Sequence, residues 1–346
     1  MKYFHFYSKE EILRHTRIRK YETKLGEKIG TVNLSEPLTE SLKKHNARYV
    51  IFGIQEDIGI RANCLRGTEK YVWKDFIDDF LNLQVIDAFS SDEILLLGVF
   101  DFSEVESLIE VYAKDSHESI DALRHAVANI VDEEVEAISK VITASGKIPI
   151  VIGGGQNNAY PLMKGSAKGL NKAGVLPKPV LNANSLDLDC NFKLTEGRHS
   201  GNGFRYAMEE SYLAKYAITG LHEYINPQSV IDDIYSNIHI QYISNKEIFV
   251  DERLNFRQAI AQNFAFTEDG LVGLHINVNA ISYTGSEKSS STEISSVNAR
   301  QFVCYAANFD VAYLHLSEGN GISPTNHIDA AKLLSILVMD YIVSRA

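Results

Sequence analysis

The sequence predicts an α/β protein: a three-layer α/β/α sandwich around a mainly parallel, eight-stranded sheet. Three observations carry the prediction. Short runs rich in Val, Ile and Leu recur along the chain, continuous rather than alternating, as strands buried on both faces require. Helical patterns and polar or Gly-rich turns separate the runs, so successive parallel strands are joined by crossovers. No long Gly/Ser/Pro linker interrupts the 346 residues, and the seven prolines are scattered. Residues 1–346 are therefore expected to form one large domain, with residues 1–45 as a less regular N-terminal extension.

The strands are expected at residues 49–54 (YVIFGI), 94–100 (ILLLGVF), 148–152 (IPIVI) and 180–186 (VLNANSL). They continue at residues 216–221 (YAITGL), 239–243 (HIQYI), 274–278 (LHINV) and 311–316 (VAYLHL). The clearest helix is residues 118–145. There Ile120, Leu123, Val127, Ile130, Val131, Val135, Ile138 and Ile142 recur at three and four, forming one apolar stripe. Residues 9–20 read as a shorter helix.

Composition limits the function. The chain has 45 acidic and 34 basic residues, for a net charge of -11. That argues against nucleic-acid binding dominated by phosphate contacts. No run approaches the roughly 20 apolar residues of a membrane span, and MKYFHFYSKEEILRHTR is not a signal peptide. Cys64, Cys190 and Cys304 fit neither a CxxC metal site nor a disulfide framework. A cytoplasmic protein with no membrane partner is expected.

In such a sheet ligands bind beyond the carboxyl ends of the strands. The segments there are GGGQNNAY (153–160), DLDCNFK (187–193), EGRHSGNGF (196–204), HEYIN (222–226), NVNAIS (277–282) and SEGNG (317–321). Amides outnumber carboxylates in these segments.

These strand ends, in this order, resemble the GGGH, DxHxD and DxD motifs of the arginase superfamily, and the formimidoylglutamase-like branch most of all. The similarity extends to FGIQEDIGIRAN (52–63), EGRHSGNGFRYA (196–207), AYLHLSEG (312–319) and KLLSILVMDYI (332–342), and runs from about residue 48 to the end. It implies an arginase/deacetylase-like fold, subunits assembled into homo-oligomers, and hydrolysis of C–N bonds in linear amidines. In active relatives two Mn²⁺ ions, held by two His and four Asp, turn a bridging water into hydroxide near neutral pH.

At the matching positions this chain carries Gln156, Asp187, Asp189, Asn191, Asn277 and Asn279. Five of the six differ from the family pattern, and no histidine remains among them. Two carboxylates cannot balance two buried dications, so no cofactor is expected. A single hard cation at Asp187 and Asp189 is the weaker alternative. Asp-to-Asn and His-to-Gln changes keep size and hydrogen bonding while removing charge, so amides can satisfy one another without an ion.

The resemblance also marks a candidate pocket for an amino-acid-like ligand: Asn157, His199, Ser200, Asn202, Arg205 and Glu318. Glu318 matches the acid that accepts the guanidinium or formimino group, and Ser200 and Asn202 match the loop at the amino-acid end. The plainer readings are a strand-end cap for Glu318 and a loop hydrogen-bonder for His199. Cys190 with His199 as base would make a thiol hydrolase site, but nothing else in the sequence supports it. His275 and His315 lie inside strands and read as hydrogen-bonded core residues. The expected function is a pseudoenzyme that keeps a small-molecule pocket or serves in an assembly. The alternatives are a working formimidoylglutamase-type hydrolase with a divergent site, and a purely structural protein with a collapsed pocket.

Overall fold

The structure is a computed structural model that describes residues 1–67, 72–112, 116–282, 294–319 and 324–345. Its strands are β1 (Phe4–Phe6), β2 (Tyr49–Gln55), β3 (Ile94–Asp101), β4 (Ile148–Gly153), β5 (Leu181–Leu186), β6 (Leu213–Leu221), β7 (Ile240–Ser244), β8 (Val272–Asn277), β9 (Ile281–Ser282), β10 (Ile294–Ser295) and β11 (Val311–Ser317). Nine of them form one sheet in the order β1-β3-β2-β4-β11-β8-β5-β6-β7. Every neighbouring pair but one is parallel, and β9 and β10 make a separate parallel ribbon.

All eight expected strands are present, with ends shifted by one to three residues. The expected count of eight is corrected to nine. The added strand, β1, pairs antiparallel with β3, Phe4 opposite Phe100. It escapes a sequence reading because three residues (FHF) show no usable period. Packing fixes it instead: the Phe4 ring meets those of Phe52 and Phe100 edge-on. β1 also covers the edge that β3 would otherwise expose.

The rest of the first 45 residues packs onto the same sheet. Ser8 and Glu11 form a capping box that starts the helix Lys9–His15. Thr16, extended and hydrogen-bonded through its side chain to the Ile12 carbonyl, ends it before the expected residue 20. Lys9 Nζ donates to the carbonyls of Gly26, Glu27 and Ile29, neutralising the end of the short helix Leu25–Lys28.

Helices cover both faces. One apolar cluster lies under Trp73–Phe80, Phe256–Thr267, Ser296–Ala306 and Pro324–Ser344, and the other under Asp132–Ala144 and Ala159–Lys172. The expected helix 118–145 is continuous from Ser116 to Ala144 but widens to a π turn at Val127–Val131. Leu123, Val127, Val131, Val135, Ile138 and Ile142 of its stripe are buried. Among the described residues no helix is long and apolar enough to cross a membrane.

After β4 the chain passes over the positions later filled by β11 and β8 before laying down β5. The carboxyl ends of β4, β11, β8 and β5 thus lie side by side, the place where a parallel sheet forms its crevice.

Candidate functional site at the strand ends

Four strand ends build the site. β4 leaves the sheet through Gly153 and Gly154, both at positive φ (82° and 71°). A Cβ on Gly153 would stand 2.9 Å from the Ile54 carbonyl oxygen, so only glycine fits. This turn delivers Gln156, Asn157 and Asn158, all buried, to the start of the helix Ala159–Lys172. β5 ends at Leu186 and presents Asp187; the following loop folds back at Asn191, at φ 48°. β8 ends at Asn277, whose Oδ1 accepts the backbone N–H of Asn279 at 3.0 Å. β11 runs into Glu318, at φ 63°, whose N–H donates to the Gly154 carbonyl at 2.9 Å.

These pieces converge on one carboxylate. Asp187 Oδ2 accepts from Gln156 Nε2 at 2.6 Å and from Asn191 Nδ2 at 2.9 Å. Asp187 Oδ1 accepts from Asn277 Nδ2 at 3.0 Å and from the backbone N–H groups of Leu188 (2.7 Å) and Asp189 (3.2 Å). Three side-chain amides from three segments, and two backbone groups, surround a buried acid. The amides must turn their NH₂ groups inward, because an ionised carboxylate only accepts.

Burial pushes the Asp187 carboxyl well above the usual aspartate range, and the charges of Asp189 and Glu318 add to the push. The N–H of Asp189 and the amide of Asn277 oppose it. Five donors surround the group, so a carboxyl proton would find no acceptor among these contacts, and the geometry favours the ion. Asp189 is also pushed up by burial, against the Asn191 N–H that donates to its Oδ1 at 3.0 Å. Glu318 Oε2 accepts from Asn279 Nδ2 at 2.6 Å, while burial raises its carboxyl to about 7.

This donor set does not fit a pair of Mn²⁺ ions. A metal needs lone pairs directed at it. Here three of the four amides turn N–H groups toward the centre, and both Asp187 oxygens are already occupied. Among the described residues no group of three or more His, Cys, Asp or Glu is placed to hold a metal ion.

The second set of marked residues lies around this knot. Asn157 Nδ2 donates to Glu56 Oε1 at 3.2 Å, joined there by Asn158 Nδ2 at 2.6 Å and Gly155 N–H at 2.9 Å. Glu56 Oε2 takes the Gly59 N–H at 3.1 Å. Glu56 is thus a second buried carboxylate hub. Sequence reasoning missed it, although it stands just past the first expected strand, where the other strand ends were read.

Ser200 accepts from Asn63 Nδ2, and its N–H donates to the Gly59 carbonyl. Asn202 is consumed inside its own loop: its oxygen accepts from Arg198 Nη1 and the His199 N–H, and its amide donates to the Leu194 and Gly197 carbonyls. His199 is buried, and its Nδ1 accepts from the Gly201 N–H, so a neutral ring carries its proton on Nε2. Burial, with Arg124, Lys193 and Arg198 nearby, holds its pKa down at about 3. Arg205 is turned away: it pairs with Asp233 and lies over the Phe192 ring. Cys190 is buried with its thiol on Asn226 Oδ1, and burial pushes the thiol pKa up, against the needs of a nucleophile.

Arg198 holds the 196–204 loop down. It pairs with buried Asp132 (Nε to Oδ2, 2.8 Å), donates to the Asn157 carbonyl and lies between the rings of Tyr160 and Tyr206. His275 and His315 form a hydrogen-bonded chain. The Gly153 carbonyl can only accept, so His315 carries its proton on Nε2 and accepts at Nδ1. His275 therefore donates from Nδ1 and accepts the Tyr313 hydroxyl at Nε2.

Comparison with known proteins agrees with this architecture. No curated protein matches the sequence significantly. Formimidoylglutamase from Bacillus subtilis superposes with a TM-score of 0.68 at 13% identity, over 95% of this chain and 93% of that one. Formiminoglutamase from Trypanosoma cruzi, solved with Mn²⁺, gives 0.61 at 17% identity, over 89% and 98%. Proclavaminate amidino hydrolase from Streptomyces clavuligerus gives 0.65 at 11% identity, over 94% and 97%. At such identities the likeness is one of fold. The model of the arginase family matches residues 81–279, more than half of the sequence, and the chain belongs to that family.

Proposed function

We propose that this chain is an arginase-family protein without ureohydrolase activity, a pseudoenzyme whose metal-site positions are held together by hydrogen bonds of their own. One observation carries the reading: Gln156, Asn191 and Asn277 all donate to the carboxylate of Asp187. A dinuclear centre would require breaking these bonds and turning the amides over, with two carboxylates to neutralise two dications. In a low dielectric these charge-assisted bonds are strong and favour one arrangement.

What remains is recognition or assembly. Asp189, Asn279 and Glu318 form the more accessible rim. A small amino-acid-like ligand would meet Glu318 with its cationic, N–H-rich end. A cytoplasmic homo-oligomer is the setting that fits.

The test is direct. Protein supplied with Mn²⁺ is incubated with formiminoglutamate, arginine or agmatine, and release of formamide or urea is followed beside a thermal-shift series. The expected result is no turnover, with a shift from an amino-acid ligand that disappears in Glu318→Gln. Turnover in proportion to added Mn²⁺ would establish the hydrolase instead.

A further inference from the structure

We infer that Arg124, His199 and Lys193 form a carboxylate-binding site, and that Glu196 fills it as an internal stand-in for the acid group of a ligand. The inference deepens the proposed function. It rests on that reading for the ligand's cationic end, at Glu318, and adds a site for the anionic end.

The site closes around one oxygen. Glu196 Oε1 accepts from Arg124 Nη2 at 3.0 Å and lies 3.3 Å from His199 Nε2. Arg124 is held by two further bonds, to the backbone carbonyls of Ala62 and Glu196. It therefore keeps its place when the Glu196 side chain leaves. Lys193 Nζ donates to Asn63 Oδ1 at 3.1 Å and makes no ion pair among the described residues. Asn63 in turn donates to Ser200, which ties the ammonium to the loop that carries His199. The charges of Lys193 and Arg124 both act on the His199 ring.

Glu196 fits this site poorly. His199 is fully buried, yet its Nε2 has no hydrogen-bond partner, because Glu196 approaches it out of line. A buried donor left this way is costly, and a better-placed acceptor recovers the loss. The Glu196 side chain is 57% exposed, whereas that of Arg124 is 20% exposed. Such an open carboxylate is weakly held. The backbone beside it is not free to follow: Gly197 stands at φ 111°, and a Cβ there would lie 2.7 Å from Arg124 Cδ. The side chain of Glu196 can leave while the loop stays.

Two cations and one neutral N–H donor select a carboxylate. Glu196 pairs with Arg124 alone, so an incoming carboxylate that also reaches His199 gains a contact that Glu196 lacks. The ligand class is a zwitterion with a free acid group. Agmatine, which has none, gains nothing from this site.

Calorimetric titration with glutarate tests the site by itself, because glutarate has no cationic group for Glu318. Glu196→Gln removes the internal competitor and should bind glutarate about tenfold or more tighter than the wild type. Adding Lys193→Met or Arg124→Gln to Glu196→Gln should reverse that gain. The His199 Nε2–H resonance should shift on addition of glutarate, a response that a change in loop packing alone would not give. Binding should survive Glu318→Gln, so failure here and failure of the Glu318 contact are read separately. Equal affinity in the wild type and Glu196→Gln, no binding by either, or a His199 resonance unmoved at saturation would each overturn the inference.

Discussion

Gln156 donates its Nε2–H to Asp187 Oδ2 at 2.6 Å, joining the glycine turn after β4 to the end of β5. We propose that the two residues stand where the family's motifs carry metal ligands. The bond links two strands that are not neighbours in the sheet, and Asn277 extends it to β8. Hydrogen bonds thus tie these strand ends together.

If Asp187 is that tie, removing its charge leaves inward-facing N–H groups without an acceptor. Asp187→Ala should destabilise the protein by about 3 kcal/mol or more in urea unfolding. Asp189→Ala, which removes an acceptor at the more open rim, should cost less than about 1 kcal/mol. Equal losses would contradict a hub at Asp187.

The strand histidines make a pH prediction. Burial holds His315 down to about 4 and His275 well below the usual range. Both stay neutral in the fold, while the unfolded chain takes up protons below about pH 6.5. Their contribution is complete above that pH and is lost as pH falls toward 4, at ~1.4 kcal/mol per pH unit for each ring. His315→Gln should therefore flatten stability against pH between those limits. In nitrogen-resolved NMR near neutral pH, His315 should carry its proton on Nε2 and His275 on Nδ1. The opposite tautomers would break the assigned chain.

Glu318 has the opposite sign. With its carboxyl raised to about 7, the folded state holds a proton that the unfolded state releases. This contribution is complete below the ordinary glutamate range and is lost as pH rises through 7. Glu318→Gln should therefore be less destabilised than the wild type on going from pH 5 to pH 8. Parallel curves would place Glu318 in an ordinary solvated setting.

Arg198 and Asp132 form a buried pair that holds the 196–204 loop. Burial outweighs the pairing and pushes Asp132 up to about 6. Arg198→Ala strands that acid and should cost roughly 3–5 kcal/mol. Arg198→Ala/Asp132→Ala should recover part of the loss, and a double variant worse than both singles would contradict the pairing.

Much of this was legible in the sequence, for physical reasons. Eight strands announce themselves because strands buried on both faces must be apolar throughout. β1 does not, because its three residues are fixed by a contact with Phe52 and Phe100, distant in sequence. Gln156, Asp187, Asn191 and Asn277 could be marked as strand-end residues, but their meeting on one carboxylate depends on strand order and on the Gly153–Gly154 turn. Glu56 looks like a solvated acid until the fold closes Asn157 and Asn158 over it. Arg205, in the first turn of the helix Gly203–Glu209, goes to Asp233 on the helix Gln228–Ser236, a choice no local pattern reveals.

Metal content tests the central claim most directly. The wild type and a variant carrying Gln156→His, Asp189→His, Asn191→Asp, Asn277→Asp and Asn279→Asp would be equilibrated with Mn²⁺, freed of loose ions and assayed for bound Mn. The amide–carboxylate knot predicts no tightly bound Mn in the wild type and recovered Mn affinity in the variant. Two tightly bound Mn ions per wild-type chain would contradict it.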